Sequence, residues 1–268
     1  MTDSPAYAQL LSLIAARSQN WLRQQIDLMD PDDPSGSLLA EVAVTAQVCG
    51  GFRGTEAPLQ AFLRRRLGTK AAILVSPAWT VAGMTASPAG AEVGAEVGAG
   101  PAGGLADRLA RHGLSDPAVL AETEDFLRTP VPAERLTDVD VDAYARVLAL
   151  CYRFGAARPR FASVRTYGDA FANCLRFADW AERRGRLMPL AQMVFCLCLI
   201  DPDHDGSAML ADVIGSQRPD GSFPARMGFG TADGTTAALR PTLAVLLALH
   251  AVIYRRWRNP RPGLLLAA

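Results

Sequence analysis

Several groups of side chains in this 268-residue sequence are of types that carry out chemistry. The first is the run Asp138-Val-Asp-Val-Asp142 with Tyr144 just beyond it. Carboxylates beside a phenol are candidates for general acid–base work, with Asp140, Asp142 and Tyr144 as catalytic groups. The competing reading is capping: residues two apart on a helix do not share a face, and a carboxylate at a helix N-terminus accepts backbone N–H groups. His250 is a further catalytic candidate if its apolar helix lines a cavity; otherwise it is a satisfied core histidine. Arg146, Arg153 and Arg240 lie within or at the start of otherwise apolar helices. Arg146 and Arg153, seven apart, share a helix face, and guanidiniums bind carboxylate or phosphate in a bidentate way. If that face meets Arg240 at a common void, an anionic small molecule is the expected substrate; the alternative is surface or ion-paired arginines.

The run Asp201-Pro-Asp-His-Asp-Gly206 places Asp201, Asp203, Asp205 and Gly206 at positions 1, 3, 5 and 6 of a calcium loop. Asp212 falls at position 12, where a bidentate glutamate is usual, and Ala208 replaces the larger aliphatic at position 8. Two readings follow: a calcium or magnesium site, or a turn whose aspartates cap the helix starting near Ser207. No cofactor is expected elsewhere.

Other chemistries are excluded by composition and spacing. Lysine plus arginine and aspartate plus glutamate number 27 each, so no global charge field recruits nucleic acid or acidic lipid. Gly228-Phe-Gly230 and Gly234 have no preceding strand, so a dinucleotide fingerprint lacks its context. His112-Gly113 reads as a helix stop. Neither a Ser-His-Asp nor a Cys-His set can be assembled from spacing. Cys49, Cys151, Cys174, Cys196 and Cys198 form no C-x-x-C pair and read as small buried hydrophobes. Met1 to Ala8 lacks the features of a signal peptide, and Leu239 to Tyr254 is interrupted by Arg240 and Pro241, so no membrane span is expected. A cytoplasmic protein is the expectation. Lys70 is the only lysine, a bias matching a GC-rich, actinobacteria-like genome.

The elements that must position these groups are helices. Apolar residues recur at helical spacing and alternating strand patterns are missing, so the fold class is all-α. Helices are expected near residues 5–29, 37–49, 57–67, 71–82, 105–112, 117–127, 139–154, 167–184, 189–200, 207–216 and 241–257. Residues 86–104, with their near-repeat of Gly-Ala-Glu-Val, read as a flexible low-complexity loop inside one domain spanning 1–268.

Gln217-Arg-Pro-Asp-Gly-Ser-Phe223 has a local logic: a glutamine bonds the free backbone groups of a turn, glycine makes the bend and the aromatic packs beneath it. This run resembles the Q-x-x-D-G-x-F/W turns of the α/α toroids, the terpenoid cyclases and protein prenyltransferase β-subunits. Pro241-Thr-Leu-Ala-Val-Leu-Leu-Ala-Leu249 resembles the start of their inner helices. The resemblance covers roughly 45 residues and implies a toroid or incomplete toroid of about ten helices in hairpins. It carries no catalytic motif: Asp138 to Asp142 lacks the adjacent pair of D-x-D-D, and neither D-D-x-x-D nor a D-x-C zinc pair occurs. Two functions are therefore expected. One is cyclisation or group displacement on an anionic or isoprenoid small molecule of bacterial specialised metabolism. The other is a non-catalytic accessory subunit or binding module that stabilises a partner protein.

Overall fold

The computed structural model describes residues 5–28, 36–53, 58–67, 101–228 and 235–254. Among them are ten α-helices: α1 (Pro5–Leu28), α2 (Gly36–Arg53), α3 (Pro58–Leu67), α4 (Pro101–His112), α5 (Pro117–Arg128), α6 (Asp138–Cys151), α7 (Arg165–Arg183), α8 (Leu187–Ile200), α9 (Ser207–Gly215) and α10 (Thr235–Tyr254). No strand occurs among the described residues; one isolated bridge joins Arg186 to Arg226. The all-α class expected from periodicity is what the chain adopts. The helix expected over 71–82, most of the low-complexity loop and the arginines beyond Tyr254 lie outside the described residues.

Helix boundaries follow local chemistry where a cap is present. Asp116 accepts from the backbone N–H groups of Ala118 and Val119, with Pro117 at the first turn of α5. Helix α6 ends at Cys151, three residues short of expectation, so Arg146 and Arg153 do not share a helix face. Three other boundaries differ as well. Gly50 and Gly51 do not stop α2, which continues to Arg53. Cys49 behind them is buried, and tertiary burial outweighs a cost of about 1 kcal/mol per helical glycine. Helix α4 begins at Pro101, inside the stretch expected to be loop. Pro241 lies within α10, not in its first turn.

Helix α8 is the hub. Eleven of its fourteen residues are buried, so it has no solvent face. It packs against α6, α7, α9 and α10; α10 in turn packs on α1 and α2, and α6 on α4. A row α2–α10–α8–α6–α4 results, flanked by α1, α9, α7 and α5. Within it α6 and α8 run in the same direction, because Gln192 meets Asp142 and, further along both helices, Cys196 meets the Ala145 carbonyl. Ala237–Tyr254 of α10, with a mean hydropathy of 1.6, is long and apolar enough to cross a membrane by length and composition alone, despite Arg240 and Pro241. In this fold 67% of that window is buried.

The turn after α9 ties the row to α1. The Gln217 amide donates to the carbonyls of Gly221, within the turn, and Ile14, on α1. Ser18 on α1 donates to Gly221 O at 3.0 Å, and Arg17 donates to Pro219 O at 2.8 Å. Phe223 is fully buried. Its N–H donates to Thr242 Oγ1 on α10, which itself donates to Ala238 O. The bonds expected of Gln217 and the packing expected of Phe223 are both present.

Candidate functional site

Each residue singled out for acid–base work has a structural partner. Asp140 closes a capping box at the start of α6: its carboxylate accepts from Thr137 N–H at 2.9 Å and from Thr137 Oγ1 at 2.7 Å. Tyr144 is buried, donates to Leu127 O at 3.0 Å and lies edge-on to Phe177. Burial, with Cys174 nearby, holds its phenol well above the ordinary value, so it stays a neutral donor. His250 is buried in α10, its Nδ1 2.9 Å from Leu246 O and its Nε2 3.5 Å from the Gln19 amide of α1. Ten residues separate it from Arg240 on the same helix, about 15 Å along the axis.

Asp142, Arg146 and Arg240 do come together, but with acids among them. Arg240 is held by Glu41 of α2 through Nε at 3.1 Å and Nη2 at 2.9 Å. Glu41 pushes the guanidinium pKa up, and Asp142 adds to that shift. Asp142 pairs with Arg146 at 3.0 Å and accepts from the Gln192 amide at 2.7 Å. Two guanidiniums and two carboxylates cancel, so this layer joins the N-terminal halves of α2, α6, α8 and α10 and offers an anion no excess charge.

The aspartate run makes a turn. Asp201 accepts from Asp203 N–H and Asp205 from Ser207 N–H at the start of α9, each at 3.0 Å. His204 lies edge-on to Phe171. Asp212 is exposed, and among the described residues no group of three or more His, Cys, Asp or Glu side chains is placed to hold a metal ion.

A different place gathers uncompensated charge. Where the C-terminal ends of α2, α4 and α6 meet the segment 152–160 there is a cleft of about 910 Å³. His112, Arg153, Arg158 and Arg160 line it, and among the described residues no aspartate or glutamate does. Three guanidiniums bring +3; three helix C-termini contribute roughly −0.5 each, leaving about +1.5. Among the described residues neither Arg153 nor Arg160 has an ion pair. Arg158 lies 4.7 Å over the Tyr167 ring, and the Tyr167 hydroxyl donates to Pro159 O, so α7 orders this wall. Cys151 also lines the cleft, but burial pushes its thiol far up, which makes it a poor nucleophile.

The cationic wall starts with a strained knuckle. Arg153 and Phe154 have φ of 45° and 52°, the only non-glycine residues with positive φ among those described, and Gly155 follows at 83°. A left-handed L-residue costs about 1–2 kcal/mol, and such strain persists where surrounding structure enforces it. Here the Gly155 and Ala157 N–H groups both donate to Tyr152 O, folding the chain back so that Arg153 and Phe154 border the cleft.

Of the residues expected to bind substrate, only Arg153 is at this cleft; Arg158 and Arg160 lie outside any helix, so helical spacing does not single them out. A signal was present in the sequence: five arginines and no carboxylate stand between Asp142 and Asp169. No family model, curated protein or solved structure matches this chain.

Proposed function

We propose that this protein binds a small anionic molecule in the cleft at the C-terminal ends of α2, α4 and α6, and that it is a binding protein, not a cyclase. The observation that carries this reading is the set of three guanidiniums around a 910 Å³ cleft, with no lining carboxylate among the described residues. The binding reading also agrees with the positions of Asp140, Tyr144 and His250, each engaged by cap or core. The row α2–α10–α8–α6–α4 and the Gln217 turn support the accompanying reading of the fold as an incomplete α/α toroid, with the cleft at one end of its inner helices.

The test uses a matched pair of probes. Benzoate and benzamide differ in charge and little in shape. Calorimetric titration is expected to give at least tenfold tighter binding of benzoate, since a charge-assisted hydrogen bond contributes about 1.5–3 kcal/mol. The preference should shrink as salt rises. Equal binding of the two probes, or none of either, would overturn the proposal.

Arg153→Gly separates function from stability. It removes one cation and relieves one left-handed residue, while Arg153 is exposed and little packing is lost. The variant should be as stable as the parent or up to about 1 kcal/mol more stable, because relief of strain offsets glycine's greater freedom when unfolded. Its benzoate affinity should fall by about tenfold. A clear drop in melting temperature would show that the Arg153 side chain supports folding, and an unchanged benzoate affinity would remove it from the binding site.

A further inference from the structure

The binding reading leaves open what else the ligand carries besides its acid, and the composition of the walls answers that. The cations come from one wall, residues 153–160, with His112 at the end of α4. The remaining walls are mainly apolar, with Val48 and Phe52 from α2, Leu109 from α4, and Leu114 from the turn that follows it, beside the polar Gln47 and Ser115. Gly51 and Gly113 stand between them without side chains, leaving room beside the apolar groups. Phe52, Leu114 and Phe154 are only half-buried, so each has apolar surface left to cover. The volume is at the upper end of roughly 300–1,000 Å³ for small-molecule sites and far exceeds what an acid group needs. A bare anion would leave the Phe52–Leu114 side wet, and a neutral hydrocarbon would leave three guanidiniums without counter-charge.

Resting on the anion-binding reading, we infer that the ligand is an amphipathic anion of the fatty-acyl class: an acidic head against Arg153, Arg158 and Arg160, and an unbranched hydrocarbon tail along Val48, Phe52, Leu109 and Leu114. The head exchanges solvent for bidentate guanidinium hydrogen bonds, and the tail is drawn in by removal of methylenes from water.

The experiment is a chain-length series on the full chain. Hexanoate, octanoate, decanoate and dodecanoate are titrated below their micelle concentrations, with octyl and decyl phosphate alongside and decan-1-ol as the uncharged control. The affinity should rise about threefold per added methylene, several-hundred-fold from hexanoate to dodecanoate. A rise in either the carboxylate or the phosphate series supports the inference and identifies the head group. Leu114→Gln should flatten the slope of affinity against chain length. Affinity independent of chain length, with benzoate still preferred over benzamide, would overturn the tail and leave anion binding standing. Decan-1-ol binding as tightly as decanoate would overturn the acidic head. Failure of benzoate and of every alkyl anion would remove both this inference and the reading beneath it.

Discussion

Replacing Gly221 with alanine is expected to lower the melting temperature by on the order of 10 °C. Gly221 has φ of +97°, a region that L side chains rarely adopt. A Cβ there would stand 2.6 Å from Arg17 O and 2.9 Å from Arg17 C, backbone atoms of α1 that cannot rotate away. Either the turn or α1 must shift. A shift disturbs the Ser18 and Gln217 bonds to Gly221 O and the Gln217 bond to Ile14 O. Left-handed strain of about 1–3 kcal/mol with part of these bonds gives a loss of roughly 3 kcal/mol. In a chain of this size each kcal/mol is worth about 2–4 °C. Calorimetry of Gly221→Ala beside Gly215→Ala makes the comparison, because a Cβ at Gly215 meets nothing within 4 Å. Equal stability of the two variants would contradict the account of the turn.

Gly155→Ala is the second large effect, and it reaches the cleft. Gly155 has φ of +83°, and a Cβ would lie 2.6 Å from Phe52 Cζ and 2.8 Å from its Cε1. The Phe52 ring is itself held edge-on to Phe195 of α8, with centroids 6.1 Å apart, so its freedom to retreat is limited. The expected cost is about 2 kcal/mol, strain and displacement together. Any movement of Phe52 alters the apolar wall, so decanoate affinity should fall at least fivefold while stability also drops. The double variant Phe52→Leu with Gly155→Ala should recover part of the stability, because the two sites share the contact and their effects do not add. Strict additivity in that cycle would show that the clash is absent and only backbone strain remains.

The helices and their type were legible because burial imposes a 3.6-residue period on the sequence, and that period survives in every described helix with one exposed face. The bonds of Gln217 and the burial of Phe223 were legible for another reason: they are local, and the turn's free backbone groups lie within a few residues of the glutamine. Legibility stopped where the partner was remote. Nothing in the spacing of Asp142, Arg146 and Arg240 says that Glu41, about 200 residues from Arg240, neutralises one of them. Proline suits a first turn, so the sequence points to a helix start at Pro241. In the fold α10 already begins at Thr235, and its buried neighbours on both sides of the proline outweigh one lost hydrogen bond. The cationic cleft was the largest omission. Arg158 and Arg160 sit in an irregular segment with no period to reveal a face, and the remote Tyr167 ring is what Arg158 lies against.

The bonds between α1 and the turn after α9 span 203 residues of sequence, from Ile14 to Gln217. During synthesis, α1 leaves the ribosome long before the turn and α10 that cover its apolar face. At about 5–20 residues per second, Leu11, Trp21, Leu22 and Ile26 wait on the order of 10–50 s for most of that cover, although α3 is an earlier neighbour. Closing so long a span is slow relative to pairing α7 with α8. Until α10 emerges the apolar face of α1 lacks its largest cover, and transiently exposed apolar surface is what makes nascent chains prone to associate.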